Sequence, residues 1–337
     1  MSTPFERDIV DQAEALRAFA QSALSPAVTR LLGRRYDRIV LTGMGSSHFA
    51  ALPGWRRLAD AGHPAWWVDS GQLLDAPGLI TPGTLLVATS QSGASAEVVA
   101  MAERQGPIPR AAALVAVTND PASPLARHAH GVIGLRSGDE ATVSTKSYLN
   151  SLAAHERITS VITSAPADDA GETVKAIEEF SRPAVLRDIA ADFATAPDAR
   201  LVYIGFGDHA ASALYAGLIT KEAAKIPAEG YVGGQFRHGP LELAGPGLTA
   251  VLFGADGRAH GSARQLGTDL LASGSTVLAV GDPGLAGAAH VGASGGSMSA
   301  RLAYDALIAQ HLTVAIAAAR GITPGVFTYG SKVTTAL

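Results

Sequence analysis

Cysteine is absent from the 337 residues, so a disulfide framework, a thiolate metal site and a cysteine nucleophile are all excluded. Charge is sparse as well: Asp, Glu, Lys and Arg make up 17%, against about 25% in an average globular chain. The 26 Lys and Arg are outnumbered by 30 Asp and Glu, and the net charge of -4 leaves no basic stripe for a nucleic-acid backbone. Nucleic acid is therefore not an expected partner. No run of 18 apolar residues occurs, so no membrane span is expected. Residues 1–17 (MSTPFERDIVDQAEALR) carry acidic side chains where a secretory signal needs a basic end and an apolar core. A soluble, cytoplasmic protein is the expectation. What is plentiful is apolar surface: 47% of residues are hydrophobic, enough for a large interior and a buried subunit interface. The length suits two domains.

The chain repeats itself. Residues 38–45 read RIVLTGMG and residues 200–207 read RLVYIGFG, an offset of 162 residues. Each is a short apolar run ending in Gly-x-Gly and followed by a helix-like stretch. Residues 84–89 (TLLVAT) are echoed by 248–253 (LTAVLF), and 112–118 (AALVAVT) by 275–281 (STVLAVG). Continuous apolar runs suit strands buried on both faces, and helical patterns lie between them, at 94–104 and 261–272 for example. Alternating β and α predicts parallel sheets. Each half closes on a helix with a Tyr and, two turns later, a His: Tyr148 and His155, then Tyr304 and His311. Core or interface packing is the expected role of those histidines. A leader helix is predicted within 6–24 (residues 1–34 as a segment), a first domain over 35–165, a linker at 164–171, a second domain over 172–325 and a tail at 326–337 without a repeat partner.

Two loops of the first half can hold an anion. Residues 43–47 (GMGSS) and 90–95 (SQSGAS) each link a strand to a helix, offering glycine-permitted backbone, hydroxyls and N–H groups. A dinucleotide fingerprint would need glycine at 48, where His48 stands, and no GxxxxGK[ST] occurs, so no nicotinamide, nucleotide or other cofactor and no metal is expected. The corresponding second-half loops, 205–209 (GFGDH) and 254–258 (GADGR), each carry an Asp that would repel an anion.

Together GMGSS, SQSGAS, VSTK at 143–146, KEAAK at 221–225 and FRHGP at 236–240 resemble the double sugar-isomerase (SIS) domain family. The pattern is similar to the isomerase half of glucosamine-6-phosphate synthase and to its stand-alone deaminase and deglycase relatives, across residues 38–332. The resemblance implies an α/β fold of two tandem flavodoxin-like, three-layer αβα subdomains, each with a mostly parallel sheet. It implies a small anionic sugar as substrate, with phosphate ligands at Ser47, Ser90, Gln91, Ser92 and Ser95. Sugar contacts fall at Gly45, Ser46, Thr142 and Ser144. With no cysteine to lead a glutaminase segment, ammonia from glutamine is not expected.

Interconverting an aldose and a ketose phosphate needs an acid/base to open the ring and a carboxylate to carry a proton between C1 and C2. Glu222 sits in a mostly apolar helix, where burial favours the protonated acid, and His238 in a Gly-rich turn, with a side-chain type that titrates near neutrality. Each also has an ordinary reading, Glu222 as a solvated partner of Lys221 or Lys225 and His238 as a turn-packing residue. Their sixteen-residue separation matches the family's proton-shuttling Glu and ring-opening His. In the family that His comes from the partner subunit, which implies a homodimer with a shared active site. The tail SKVTTAL (331–337) resembles the family's terminal motif, placing Lys332 where a lysine approaches the sugar carbonyl and can form a Schiff base. The pattern departs at Ile219 and Tyr215, where the synthase carries a lysine and a glutamate. A hexosamine 6-phosphate isomerase/deaminase is thus expected, with a plain aldose–ketose isomerase, a fructosamine-6-phosphate deglycase and a non-catalytic sugar sensor as alternatives.

Overall fold

A computed structural model describes residues 2–103, 110–254, 260–281, 284–292 and 296–336. The chain divides into two compact units: residues 11–171 with the tail 329–337, here the first unit, and residues 1–10 with 172–328, the second. The leader is interrupted at Asp11, giving helices Pro4–Val10 and Gln12–Gln21 that fall in different units.

Each unit is built on a five-stranded sheet. The first holds β1 (Arg38–Gly43), β2 (Ala65–Trp67), β3 (Thr84–Thr89), β4 (Ala113–Thr118) and β5 (Gly131–Gly134), in the order β2-β1-β3-β4-β5. The second holds β6 (Arg200–Gly205), β7 (Ala228–Val232), β8 (Leu248–Phe253), β9 (Thr276–Val280) and β10 (Ala289–Val291), in the order β7-β6-β8-β9-β10. Both are the flavodoxin-like order, and all these pairings are parallel. Every residue of β3, β4 and β8 is buried, as continuous apolar runs require.

Alternation along the strands makes three layers. Ile39, Leu41, Leu85, Val87, Val115 and Val117 face a core with Phe19, Leu32 and Ile158, while Val40, Leu86, Ala88, Leu114 and Ala116 face another with Leu73, Val98 and Leu125. In the second unit Val202, Ile204, Ala250, Leu252, Val277 and Ala279 pack on Leu266 and Leu270. On the other side the buried Tyr203 hydroxyl meets Thr220 at 2.9 Å, and Thr220 meets Thr313 at 2.9 Å, tying sheet to helices Ala210–Ala224 and Met298–Ala319. Burial pushes the Tyr203 phenol up to about 12. The helix Met298–Ala319 is long and apolar enough to cross a bilayer, yet 72% of its most apolar window is buried inside the fold, as in a core helix.

Candidate functional site

The switch point of this strand order lies between β1 and β3, where loops leaving the carboxyl ends of the strands form a crevice. Register places Gly43 opposite Thr89, so the loops that follow start side by side. After β1 the chain turns through Gly45, at φ +52°, into the five-residue helix Gly45–Phe49. Pro53 cannot donate to the Phe49 carbonyl, and a separate helix, Leu52–Asp60, follows the break. After β3 the loop turns at Gly93, φ +61°, where a Cβ would lie 2.1 Å from Ser123 Oγ. Only glycine meets both demands there.

The loop side chains form a set of neutral donors. Ser90 and Ser95 share a hydroxyl contact of 3.1 Å, Ser90 Oγ accepts from Gly93 N at 3.1 Å, and Ser92 Oγ accepts from Ala94 N at 3.2 Å. The half-buried side chains of Ser47 and Gln91 make no hydrogen bond among the described residues. Gln91 is held by its carbonyl, which accepts from Asn119 N and Thr118 Oγ1. His48 adds no charge: stacked on Trp67 at 4.1 Å, it is pushed by burial down to about 4, with Asp69 opposing. Beneath β3, His155 Nε2 contacts Thr89 Oγ1 at 2.9 Å, and burial, aided by His48, lowers it to about 3. That is the packing role expected of it.

The third segment joins the same place, because Ser46 Oγ donates to Ser144 Oγ at 2.9 Å. Thr142 Oγ1 is shielded from solvent and has no partner among the described residues. The tail arrives there too. Lys332 Nζ lies 3.1 Å from Glu140 Oε2 and donates to the Glu140 carbonyl, while Thr334 O accepts from Ala96 N at 2.9 Å. Gly45, Ser46, Ser47, Ser90, Gln91, Ser92, Ser95, Thr142, Ser144 and Lys332 therefore all belong to the first unit. Glu140 escaped the sequence reading. Its spacing to the helix Lys146–Thr163 matches no capping box, and its partner stands 192 residues away.

Glu222 and His238 belong to the second unit. Glu222 is half-buried near the end of helix Ala210–Ala224, which stops at Lys225 in a left-handed conformation. Lys221 pairs with Glu229 at 3.5 Å, while Lys225 donates to the Glu222 carbonyl and lies over Phe327. His238 is exposed after the 3-10 turn Gly233–Arg237, its imidazole free of hydrogen bonds and ion pairs among the described residues. Packing within its unit does not occupy it. Gly239, at φ +113°, makes the turn that follows, and Arg237 anchors the loop on Asp269 at 2.7 Å. Ile219 and Tyr215 are fully buried, and the Tyr215 hydroxyl accepts from Gln310.

The turn after β6 is the second-half counterpart of the turn after β1, and there an imidazole is buried. His209 takes the place of Ser47, bonds Asp305 through Nδ1 at 2.6 Å, and packs so close to Gly254 that a Cβ there would lie 2.2 Å from its ring. Asp208 was one of two carboxylates expected to exclude an anion; the other, Asp256, falls outside the described residues.

A family model described as SIS domain matches residues 34–159 and 196–283. The glutamine–fructose-6-phosphate aminotransferase (isomerizing) of Pyrococcus horikoshii is 27% identical over 292 residues, 82% of this chain and 48% of that protein, so the chain spans about half its length. Among solved structures, the C-terminal domain of glucosamine-fructose-6-phosphate aminotransferase from Francisella tularensis aligns with a TM-score of 0.83 at 18% identity, covering 95% of this chain and 97% of that one. Glucosamine-6-phosphate deaminase from Thermotoga maritima aligns with a TM-score of 0.75 at 20% identity, covering 98% and 99%. Both structural likenesses are likenesses of fold.

Proposed function

Since the chain belongs to the SIS domain family, we propose that it is a phosphosugar isomerase/deaminase acting on a hexosamine 6-phosphate. The observation that carries this reading is the pair of donor loops side by side at the ends of β1 and β3. Ser47, Ser90, Gln91, Ser92 and Ser95 offer the phosphate hydroxyl and amide donors; a hydrogen bond to a charged group is worth about 1.5–3 kcal/mol. Gly45, Ser46, Thr142 and Ser144 contact the sugar.

The proton work falls to the second unit. His238 opens the ring, and Glu222 removes the C2 proton and returns it to C1. A 2-amino aldose thereby becomes a 2-ketimine, which water hydrolyses to the ketose 6-phosphate and ammonia; atoms balance without an oxidant or reductant. The exposed imidazole of His238, without a hydrogen bond or ion pair among the described residues, suits service in the active site of a second copy, in a homodimer with a shared site. The burial of Ile219 and Tyr215, where the synthase carries charges, favours deamination over transfer of an amine.

A plain aldose–ketose isomerase of a sugar with a terminal phosphate or sulfonate is the second reading. It is favoured by one observation, that Lys332 is paired with Glu140 rather than free for covalent use. Incubation with hexose, hexosamine and fructosamine 6-phosphates, assayed for ketose, ammonia and released amine, separates the two. Ammonia from a hexosamine 6-phosphate supports the first reading, ketose from an unaminated aldose alone selects the second, and no turnover on any of them defeats both.

A further inference from the structure

Glu140 carries a carboxylate with no exposed surface and no part in the chemistry above. Oε1 accepts from Thr145 N at 2.8 Å, Thr145 Oγ1 at 3.1 Å and Ser147 N at 2.9 Å. Oε2 accepts from Ser147 Oγ at 2.6 Å and from Lys332 Nζ at 3.1 Å. Thr145 and Ser147 alone would explain a carboxylate that caps the start of helix Lys146–Thr163. They do not explain the lysine, which comes from the far end of the chain and donates to the Glu140 carbonyl as well.

Two residues beyond Lys332, the Thr334 carbonyl takes the N–H of Ala96, the residue directly after Ser95 of the anion loop. The tail is thus fastened at one point to the segment bearing Ser144 and at the next to the segment bearing Ser90 to Ser95. An ion pair with one member buried holds geometry far better than a solvated surface pair, because breaking it strands a charge away from water.

We propose that Glu140 is the positioning residue of the C-terminal tail: it anchors Lys332 and thereby seats residues 331–336 on the anion loop. The catalytic meaning rests on the isomerase reading above. Held there, Lys332 keeps its ammonium on the Glu140 carboxylate and carbonyl. Its nitrogen is committed to Glu140, and attack on a carbonyl needs the amine lone pair, so any Schiff base requires the pair to open first.

The test compares the full-length protein with Glu140→Gln, Lys332→Met and the double variant, each verified folded by its thermal transition. Tail exchange is read at the Ala96 N–H, which the seated tail protects through the Thr334 carbonyl; its deuterium uptake is expected to quicken at least tenfold in all three, with the double variant no faster than either single one. With the substrate found in the panel above, kcat/KM of Glu140→Gln is expected to fall at least tenfold, and the double variant to match Lys332→Met. A mere helix cap would lower the transition temperature and leave tail exchange unchanged. Lys332→Met keeps the cap whole, so a misfolded Glu140→Gln does not block the decision. Unchanged tail exchange in Lys332→Met overturns the proposal, and so does a released tail with full kcat/KM in Glu140→Gln. If the wild type turns over no sugar phosphate, the functional reading fails, and tail exchange still decides whether Glu140 seats the tail.

Discussion

The crevice at the ends of β1 and β3 and the crevice at the ends of β6 and β8 come from one repeated design and have diverged in opposite senses. Both have the same strand order, the same register and the same Gly-x-Gly turn. In the first, Ser47 follows the turn and the facing loop offers Ser90, Gln91 and Ser92. In the second, His209 follows it, locked on Asp305 and pressed against Gly254. A small hydroxyl leaves room and a donor, whereas an imidazole held by a buried carboxylate consumes both. The same turn thus carries a small hydroxyl in one half and a buried imidazole–carboxylate pair in the other.

The largest test of this division is Glu222→Gln. If proton transfer belongs to the second unit and binding to the first, kcat should fall about 10²–10⁴-fold while the sugar phosphate still binds. Retention of more than a tenth of wild-type kcat, measured alongside binding by calorimetry, would remove Glu222 from the mechanism. Next comes His209→Ala, which leaves Asp305 buried without its partner and should cost about 3–5 kcal/mol of stability in a urea titration. Phosphate affinity should stay within twofold; a marked loss would mean that the second crevice still binds an anion. The mirror experiment, Ser90→Ala with Ser92→Ala, should weaken sugar-phosphate binding tenfold or more, at about 1.5–3 kcal/mol per hydrogen bond to a charged group. Unchanged affinity in the folded double variant would break the comparison at its root.

The smallest effect is a dependence on acid. Burial holds His155 at about 3 and both His48 and His311 at about 4 in the folded chain, below the unfolded value of about 6.5. Between these values the unfolded chain binds more protons, so stability is full above pH 6.5 and declines as pH falls toward 4 and 3. Each histidine contributes a slope approaching about 1.4 kcal/mol per pH unit. His155→Gln and His311→Gln should each flatten the curve of unfolding free energy between pH 6.5 and 5, one for each unit. A wild-type curve without that slope would show that these rings are not held neutral.

The repeat, the parallel sheets and the two donor loops were legible because their signals are local. An apolar run of six residues, a glycine at the turn and a hydroxyl after it announce a buried strand and its loop wherever they stand. The Tyr/His helices were legible in the same way, and His155 proved to be packed in the core against Thr89. Glu140 was not legible, because nothing near it in sequence distinguishes a solvated acid from one that gathers five donors. The second-half loops were read as repelling an anion through their carboxylates, and the burial of His209 against Asp305 was missed, since a histidine after a turn looks the same in sequence whether it is exposed or buried.

The sequence by itself determined the architecture: hydrophobic period, glycine placement and a 162-residue offset leave one class of fold for each half, since backbone conformation and burial respond to neighbours a few residues away. Only the tertiary structure decided which histidine meets which carboxylate at the second turn and which lysine meets which carboxylate in the tail. Those outcomes depend on strand register, which sets Gly43 beside Thr89 and Gly205 beside Phe253, and on contacts across 96 residues for His209 with Asp305 and 192 for Lys332 with Glu140. No local pattern encodes separations of that length, because the partner of a buried polar group is chosen by packing, which closes the space around the pair and leaves it no water to turn to.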